Sequence, residues 1–292
     1  DDIKGGYYRP SAVVRLTGTL NKRGEVTSIM GRIASQSAAI GPLMESFVAL
    51  IGEDARTAQG IRDIPYNIPN LRAEVHYEKS EVPVNWMRSV ANSFNIFALE
   101  TFMDELAEAA GQDPYQFRRN MLANNRRCRQ VLDTVAEAAD WSSPAAAGMY
   151  RGIALLNSYN SYIAQVVEAS LDGNQLNVHR VISAVDCGIA VNPDLVKAQI
   201  ESGIVFGLSS AMGKISFKDG EVRQNNFHDY PILRINQTPA IETHIIDSDE
   251  NPGGVGELGV PCVAPALANA LYQATGERIK SLPMFNQNLQ IT

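Results

Sequence analysis

Residues 253–271 limit most strongly what this chain can fold into and bind. They join a glycine-rich loop to a helix and carry one carboxylate. The stretch is GGVGELGVPCVAPALANAL, and the carboxylate is Glu257. Three of the first four residues are glycines, so no side chain obstructs a close approach to a bound group, and the backbone N–H groups remain free to donate. The stretch therefore predicts a binding loop followed by a helix.

Glu257 is a candidate general base. Its neighbours Leu258, Val260, Val263 and Ala264 are apolar, and partial removal of water from a carboxyl group suits a base that works near neutral pH. The alternative is a solvated acid at a helix N-terminus. Spacing alone does not separate the two interpretations.

The composition indicates a globular protein with a sizeable core. Of 292 residues, 45% are hydrophobic and 20% are charged, which is ordinary for globular domains, and the length suffices for two of them. A net charge of -7 argues against a nucleic-acid partner, because nucleic-acid-binding domains usually carry a basic face. No apolar run approaches the roughly 20 residues needed to span a bilayer.

The spacing of the cysteines and histidines does not indicate a metal site. Cys128, Cys187 and Cys262 are far apart and odd in number, so each is expected to be a buried apolar residue rather than a metal ligand or half of a disulfide. The four histidines are also scattered. His228 beside Asp229 could relay a proton, but neighbours on an extended segment point different ways, and a structural turn is the alternative.

The first half of the chain predicts a hairpin, a strand and three helices. Alternating apolar residues flank turn chemistry at Arg23 and Gly24, and later apolar residues recur at helical spacing. Asp113 and Pro114 mark a helix start, and Gly111 marks a helix end. Five arginines are expected on a solvated helical face: Arg118, Arg119, Arg126, Arg127 and Arg129. The predicted elements are a hairpin in 11–37, a strand at 71–77 and helices at 96–110, 114–124 and 129–139.

A linker at residues 142–148 divides the chain into predicted domains 1–145 and 146–292. The second half begins with strands that turn at Asp172 and Gly173, and it continues with a helix capped by Asn192. Together the halves predict an α+β fold with mixed sheets and packed helices. The predicted elements are strands at 152–156, 162–171, 176–185, 241–247 and 279–283, helices at 193–212 and 264–275, and a hairpin turning at 219–220.

Gly254, Gly256 and Gly259 form a G-x-G-x-x-G pattern before a helix, and Glu277 follows at a suitable distance. A dinucleotide-binding function therefore has to be considered. That pattern should follow a strand directly within a βαβ unit. Here a polar stretch intervenes and prolines interrupt the first helical turns, so an NAD-binding protein is the least favoured interpretation.

Four segments in order resemble the molybdenum-binding subunit of the xanthine oxidase family of molybdenum hydroxylases. The similarity is greatest to the branch that contains the isoquinoline 1-oxidoreductase beta subunit and aldehyde-oxidising relatives. It implies the molybdenum-cofactor-binding fold of the aldehyde oxidase and xanthine dehydrogenase type. The segments are VNWMRSVANSFNIFALETFMDELA, RVISAVDCGIAVNPDLVKAQIESGIVFGL, NNFHDYPILR and GGVGELGVPCVAPALANAL.

The resemblance implies a role for each matching residue. Glu257 would be the base that takes a proton from the Mo-OH group, whose oxygen attacks an electron-poor carbon of an N-heterocycle or aldehyde. Arg88 could instead form an ion pair, and Asn192 could simply cap a helix. Ser89 stands where much of the family has glycine. The residues implied to contact or support the cofactor are Arg88, Ser89, Val90, Gly188, Asn192, Gln199, Gly254, Val255 and Gly256.

The resemblance also implies a molybdopterin cofactor, in its cytosine dinucleotide form, that holds the molybdenum without side-chain metal ligands. Iron–sulfur clusters would lie on a small partner subunit, with a cytochrome c as electron acceptor. The family's G-Q-G segment is not found in residues 1–292. The chain is therefore expected to be the C-terminal part of its subunit, inactive in isolation, and the resembled branch indicates the periplasm, with the cytoplasm as alternative. The competing hypothesis is a non-catalytic binding or assembly module.

Overall fold

The computed structural model describes residues 3–37, 56–230, 232–284 and 289–291. Its first sheet has three strands, in which β1 and β2 form the predicted antiparallel hairpin and β3 pairs in parallel with β2. The parallel pairing was not predicted, although a strand at 71–77 was. The strands are β1 (Ala12–Leu20), β2 (Val26–Ser35) and β3 (Asn70–Tyr77).

Three helices follow, as predicted, but their ends differ. The Asp113 side chain caps the second helix by accepting from the Gln116 N–H. That helix ends at Asn120 rather than at the predicted residue 124, and Asn125 caps the next helix by accepting from the Cys128 N–H. The third helix consequently begins three residues earlier than expected. The helices are α1 (Asn92–Ala109), α2 (Pro114–Asn120) and α3 (Arg126–Ala138).

The second sheet has five strands built around β6. An antiparallel series β4–β5–β6 is extended by β9 and β10, which pair in parallel with different parts of β6. A short hairpin, β7–β8, lies apart from it. The mixed sheets and packed helices confirm the α+β prediction. The strands are β4 (Tyr150–Ser158), β5 (Ser161–Asp172), β6 (Gln175–Asp186), β7 (Phe217–Lys218), β8 (Glu221–Val222), β9 (Ala240–Ile245) and β10 (Gln290–Ile291).

Helix α4 (Pro193–Met212) crosses the segment that precedes α5 (Val263–Thr275) at very short range. A Cβ on Gly203 would lie 2.7 Å from the Gly259 Cα, and a Cβ on Gly259 would lie 2.5 Å from the Ile200 carbonyl oxygen. Such a crossing is possible only for glycine. Gly259 therefore serves helix packing, which accounts for the third glycine of the dinucleotide-like pattern.

The strand predicted at 279–283 is wrong, because the segment forms no ladder with any described strand. It is irregular in the structure. The basic side chains around it contact α1 instead: Arg278 donates to Glu108 at 2.7 Å and Lys280 lies 3.2 Å from Glu105. The segment is thus held by side chains rather than by a backbone ladder.

One apolar core joins elements from both sides of residue 145. Leu99 of α1, Leu132 of α3, Leu155 of β4, Ile182 of β6 and Leu267 of α5 are all fully buried in the same cluster. Helix α5 packs on β4 and β5, while α3 packs on β5 and β6. The division into domains 1–145 and 146–292 stays a prediction.

The expectation of a solvated arginine face is wrong for two of its five members. Arg118 is fully buried and pairs with Glu100 at 2.9 Å. Arg127 forms a bidentate pair with Asp186, at 2.7 and 2.6 Å. An arginine side chain can be buried when a carboxylate pairs with its planar guanidinium. The partners of Arg118 and Arg127 are distant in sequence, so the local sequence pattern could not reveal them.

Candidate active site

The site is organised around the carboxylate of Glu257, which is half-buried. Its Oε2 accepts a hydrogen bond from the Ser89 N–H, and the Ser89 hydroxyl donates to the Glu257 carbonyl oxygen at 2.6 Å. Ser89 itself is fully buried. Two segments 168 residues apart are therefore locked together at this carboxylate. The other oxygen, Oε1, has no hydrogen-bond partner in the described part of the chain.

Arg88 ties the same two segments to helix α4. Its guanidinium donates to the Gly256 carbonyl oxygen, to the Ser202 hydroxyl at 3.1 Å and to the Gln199 side-chain oxygen at 3.0 Å. Within the described residues it forms no ion pair, so the predicted alternative of a salt bridge is not observed there. Arg88 supports the loop of Glu257 and does not point away from it.

The backbone beside Glu257 adopts an uncommon conformation. Ser89 has φ 80° and Val90 has φ 49°, values that are rare for residues other than glycine and are a genuine outlier for valine. Such strain persists where surrounding contacts enforce it, and it is concentrated at functional sites. Here the strained segment is the one whose Ser89 N–H donates to Glu257.

The loop of residues 253–256 is packed against the protein on one side and exposed on the other. The Gly253 N–H donates to the Cys187 carbonyl oxygen and the Gly254 N–H donates to the Tyr159 carbonyl oxygen, both at 2.8 Å. Gly188, with φ 69°, fits under this loop, because a Cβ there would lie 2.2 Å from the Asn251 carbonyl oxygen. The support side of the loop is therefore fully packed.

The outer side of the loop fits a bound anionic group. The N–H groups of Val255 and Gly256 have no acceptor within the described ranges. A Cβ on Gly256 would meet only the Gln199 oxygen, at 3.9 Å, so no described neighbour requires glycine at this exposed position. Open glycine backbone with free N–H donors beside a carboxylate suits close approach of a cofactor.

The structure brings together most of the residues that the sequence singled out. Arg88, Ser89, Gln199, Gly256 and Glu257 are in direct contact. Val90, Gly254 and Val255 are their chain neighbours, and Gly188 supports the loop. Asn192 is the exception: its side chain accepts from the Leu195 N–H at 3.1 Å and caps α4, which was the predicted alternative.

The Arg127–Asp186 pair is a supporting contact that sequence reasoning missed. Asp186 is almost fully buried, and its Oδ1 also accepts from the Gly188 N–H at 3.0 Å. Burial opposes ionisation of Asp186, but the hydrogen bonds from Arg127 and Gly188 outweigh it and hold the pKa of the carboxyl group below its usual value. The pair thereby fixes the 186–188 turn under the 253–256 loop.

We expect Asp186→Asn to destabilise the fold at neutral pH and not in acid. Because the folded-state pKa of Asp186 is lowered, its stabilisation is present above the unfolded pKa of about 3.9 and is lost as pH falls through the folded value. Urea denaturation should show a loss of about 1.5–3 kcal/mol at pH 7. Asp219→Asn, at the exposed β7–β8 turn, is the matched control, and an equal loss at pH 3 would contradict the assignment.

Other candidates lie away from this site. His228 is exposed and lies 3.3 Å from Asp229, whose carboxylate accepts from the Asn225 and Asn226 N–H groups, as expected for a turn. The three cysteines are buried, as predicted. In the described ranges no cluster of three or more His, Cys, Asp or Glu side chains is arranged to hold a metal ion, and no helix has the length and apolarity to cross a membrane.

Comparison with known proteins identifies what the chain is similar to. Profiles described as molybdopterin cofactor-binding domain match residues 3–122 and 96–239. The chain is 34% identical to the beta subunit of isoquinoline 1-oxidoreductase from Brevundimonas diminuta, over 97% of this chain and 37% of that protein. It is 32% identical to a nicotinate dehydrogenase subunit of Pseudomonas putida, over 75% of this chain and 20% of that protein.

Solved structures show the same fold. The crystal structure of quinoline 2-oxidoreductase from Pseudomonas putida 86 superposes with a TM-score of 0.79 at 10% identity, over 96% of this chain and 62% of that one. The fold and the site thus define a molybdopterin cofactor-binding protein. The chain belongs to the xanthine oxidase family of molybdenum hydroxylases. It spans less than half the length of the isoquinoline 1-oxidoreductase and nicotinate dehydrogenase subunits named above.

Proposed function

We propose that this chain is part of a molybdenum-dependent oxidoreductase that hydroxylates an N-heterocycle or an aldehyde, with Glu257 as general base. One observation carries the proposal. The Glu257 carboxylate is fixed through Oε2 by the Ser89 N–H, while its Oε1 has no partner among the described residues. A general base has to be held in place and still be able to accept a proton, and this arrangement meets both requirements.

When bound, the molybdopterin cofactor would supply the redox centre that takes electrons from the substrate. The chain's own groups would bind and orient. The N–H groups of Val255 and Gly256 would contact the cofactor, Arg88 would hold the loop in register, and Glu257 Oε1 would accept the proton. The family's relatives named for isoquinoline and nicotinate support an N-heterocycle as substrate.

The Glu257→Gln variant of the full-length protein tests this function when turnover and molybdenum content are measured together. Loss of turnover at unchanged molybdenum content supports the base. A binding or assembly module would instead tolerate the substitution. We further propose that residues 1–292 by themselves show no turnover, since they cover 37% of the isoquinoline-oxidising relative.

The same proposal includes the cytosine dinucleotide form of the cofactor, the remainder of this subunit, a small iron–sulfur subunit, a cytochrome c acceptor and a periplasmic location. The names of the relatives, which are subunits, support a multi-subunit enzyme. Purification of the tagged full-length protein, with iron, molybdenum and released cytidine nucleotide measured in the complex, tests the composition. Recovery of the protein without iron would contradict the iron–sulfur partner.

A further inference from the structure

Two contacts hold the loop that carries Glu257, and they come from different parts of the chain. The Ser89 N–H, shortly before helix α1, donates to the Glu257 carboxylate. The Tyr159 carbonyl oxygen, in the turn after strand β4, accepts from the Gly254 N–H at 2.8 Å. Gly254 lies three positions before Glu257, so the spacing between the two contacts limits where the carboxylate can lie.

The side chain of Asn92 joins the two segments that make these contacts. Asn92 is the first residue of α1, and its backbone N–H donates to the Ser89 carbonyl oxygen at 3.0 Å. Its side-chain Nδ2 donates to the Ser158 hydroxyl oxygen, also at 3.0 Å. Ser158 is the last residue of β4 and directly precedes Tyr159. One side chain therefore connects the segment that holds the carboxylate to the turn that holds the loop.

This connection is buried and closely packed. Asn92 is 1% exposed and Ser158 is 9% exposed. The Ser158 oxygen also accepts from the Gln59 side chain at 3.2 Å, so both acceptor positions of the hydroxyl are used. On the loop side of the turn, a Cβ on Gly253 would lie 2.3 Å from the Ser161 Oγ. The turn and the loop backbone are thus in direct contact, and a shift of the turn would displace the loop.

Helix capping and core stability do not account for an asparagine at this position. The N-cap residue of α1 is Ala91, and no side-chain hydrogen bond caps that end of the helix. The Asn92 Oδ1 is buried without a hydrogen-bond partner among the described residues, and an unpaired buried acceptor lowers stability. A leucine of similar size would avoid that cost. What the amide adds is the connection between the two segments.

Resting on the proposed function, we propose that Asn92 is a positioning residue that acts through Ser158 on the placement of Glu257. A general base has to lie within hydrogen-bond reach of the proton that it accepts, and a misplacement of about 1 Å can slow a reaction about 100-fold. Loss of the hydrogen bond between Asn92 and Ser158 should therefore slow the chemical step and leave substrate binding nearly unchanged.

Three single variants of the cofactor-loaded full-length protein test this role by steady-state kinetics. Asn92→Leu and Ser158→Ala each remove one partner of the hydrogen bond, and each should lower kcat about tenfold with KM unchanged. Ser158→Thr keeps the hydroxyl and should keep most of the wild-type kcat. The double variant Asn92→Leu/Ser158→Ala should lose no more than either single variant, because both substitutions remove the same contact.

Hydrogen exchange supplies a readout that does not depend on turnover. In the full-length protein, mass spectrometry of peptides that cover residues 250–260 should show about tenfold faster exchange of the Gly254 N–H in Asn92→Leu and in Ser158→Ala, because the turn that holds it is released. The exchange should stay at the wild-type rate in Ser158→Thr.

Asn269→Leu is the matched control for a general loss of stability. Asn269 is buried in α5, and its side chain donates to backbone carbonyl oxygens of α1 and β4 at 3.2 and 3.3 Å. It thus joins the same helix and strand by a buried amide but contacts neither the loop nor the turn. Its substitution should lower the Tm and leave kcat and the exchange of the loop unchanged.

Wild-type kcat and wild-type loop exchange in Ser158→Ala overturn the proposal, and so do losses of kcat that add up in the double variant. If Asn92→Leu does not fold, the comparison of Ser158→Ala with Ser158→Thr decides alone. Failure of the proposed function gives a different result, since turnover retained in Glu257→Gln would dismiss the base without changing the exchange of the loop. The two failures are therefore distinguishable.

Discussion

Turnover of the full-length enzyme should fall by about 10²- to 10⁴-fold when Glu257 is replaced by glutamine, the range for loss of a general base. The substitution keeps size and shape. A glutamine side-chain oxygen can still accept the Ser89 N–H that Oε2 accepts in wild type, so the loop should remain in place. Only the ability to take up a proton is removed.

Three measurements make this prediction specific. Molybdenum content should be unchanged, because glutamine keeps the size of the side chain and can still accept from the Ser89 N–H. The loss should appear in kcat as well as in kcat/KM, since a base acts on the chemical step. Glu277→Gln, an exposed position beyond α5, should behave as wild type. Turnover retained in Glu257→Gln would rule out this residue as the base.

Replacing Arg118 with leucine should destabilise the described core strongly. Arg118 is fully buried and contacts two buried carboxylates, Glu100 at 2.9 Å and Asp104 at 2.6 Å. Burial raises the pKa of both carboxyl groups. Burial would lower the pKa of Arg118, but the charges of Glu100 and Asp104 outweigh it and raise that pKa above its usual value. Removing one partner of a buried ion pair leaves uncompensated charge, at a cost of about 3–5 kcal/mol.

The Glu100 carboxylate also joins other elements of the core. Its two oxygens accept from the Tyr66 hydroxyl at 2.8 Å and from the Leu155 N–H of β4 at 3.0 Å. The backbone carbonyl oxygen of Glu100 accepts from Asn269 of α5 at 3.2 Å. Loss of Arg118 should therefore loosen the junction of α1, α2, β4 and α5 and not one helix alone.

Urea denaturation at two pH values checks this prediction. Without Arg118, the folded-state pKa values of Glu100 and Asp104 are raised. The free energy of unfolding of the variant is therefore highest below the unfolded pKa of about 4, and it decreases as the pH rises and the two buried carboxyl groups become charged. The difference from wild type should be large at pH 7 and smaller at pH 4. Arg119→Leu, the more exposed neighbour paired with Asp133, should cost at most about 1 kcal/mol. Similar losses in both variants would refute the buried-pair explanation.

Most elements of the fold could be predicted because their signals are local. Asp113 with Pro114 and Asn192 with Pro193 cap helices where expected, and the turns at 172–174 and 219–220 lie between paired strands. A cap or tight turn is decided by a few neighbouring residues. Helix ends in 85–130 were missed because competing caps and packing contacts set them.

The candidate site was predicted only in part, for the same reason. Glu257 stands out because glycines and apolar residues surround a single carboxylate. The anchoring role of Arg88 carries no local signal, since its partner at residue 256 is far away in sequence.

The sequence by itself determined the caps, the turns, the family and the one carboxylate in a glycine loop, because each depends on residues close together in the chain. The tertiary structure decided that β3 pairs in parallel with β2, that Arg118 is buried rather than solvated, and that Glu257 Oε2 is held by Ser89. These depend on contacts between distant segments. Such contacts form only when burial of the shared core brings the segments together, so only the folded chain shows why Glu257 has one oxygen fixed.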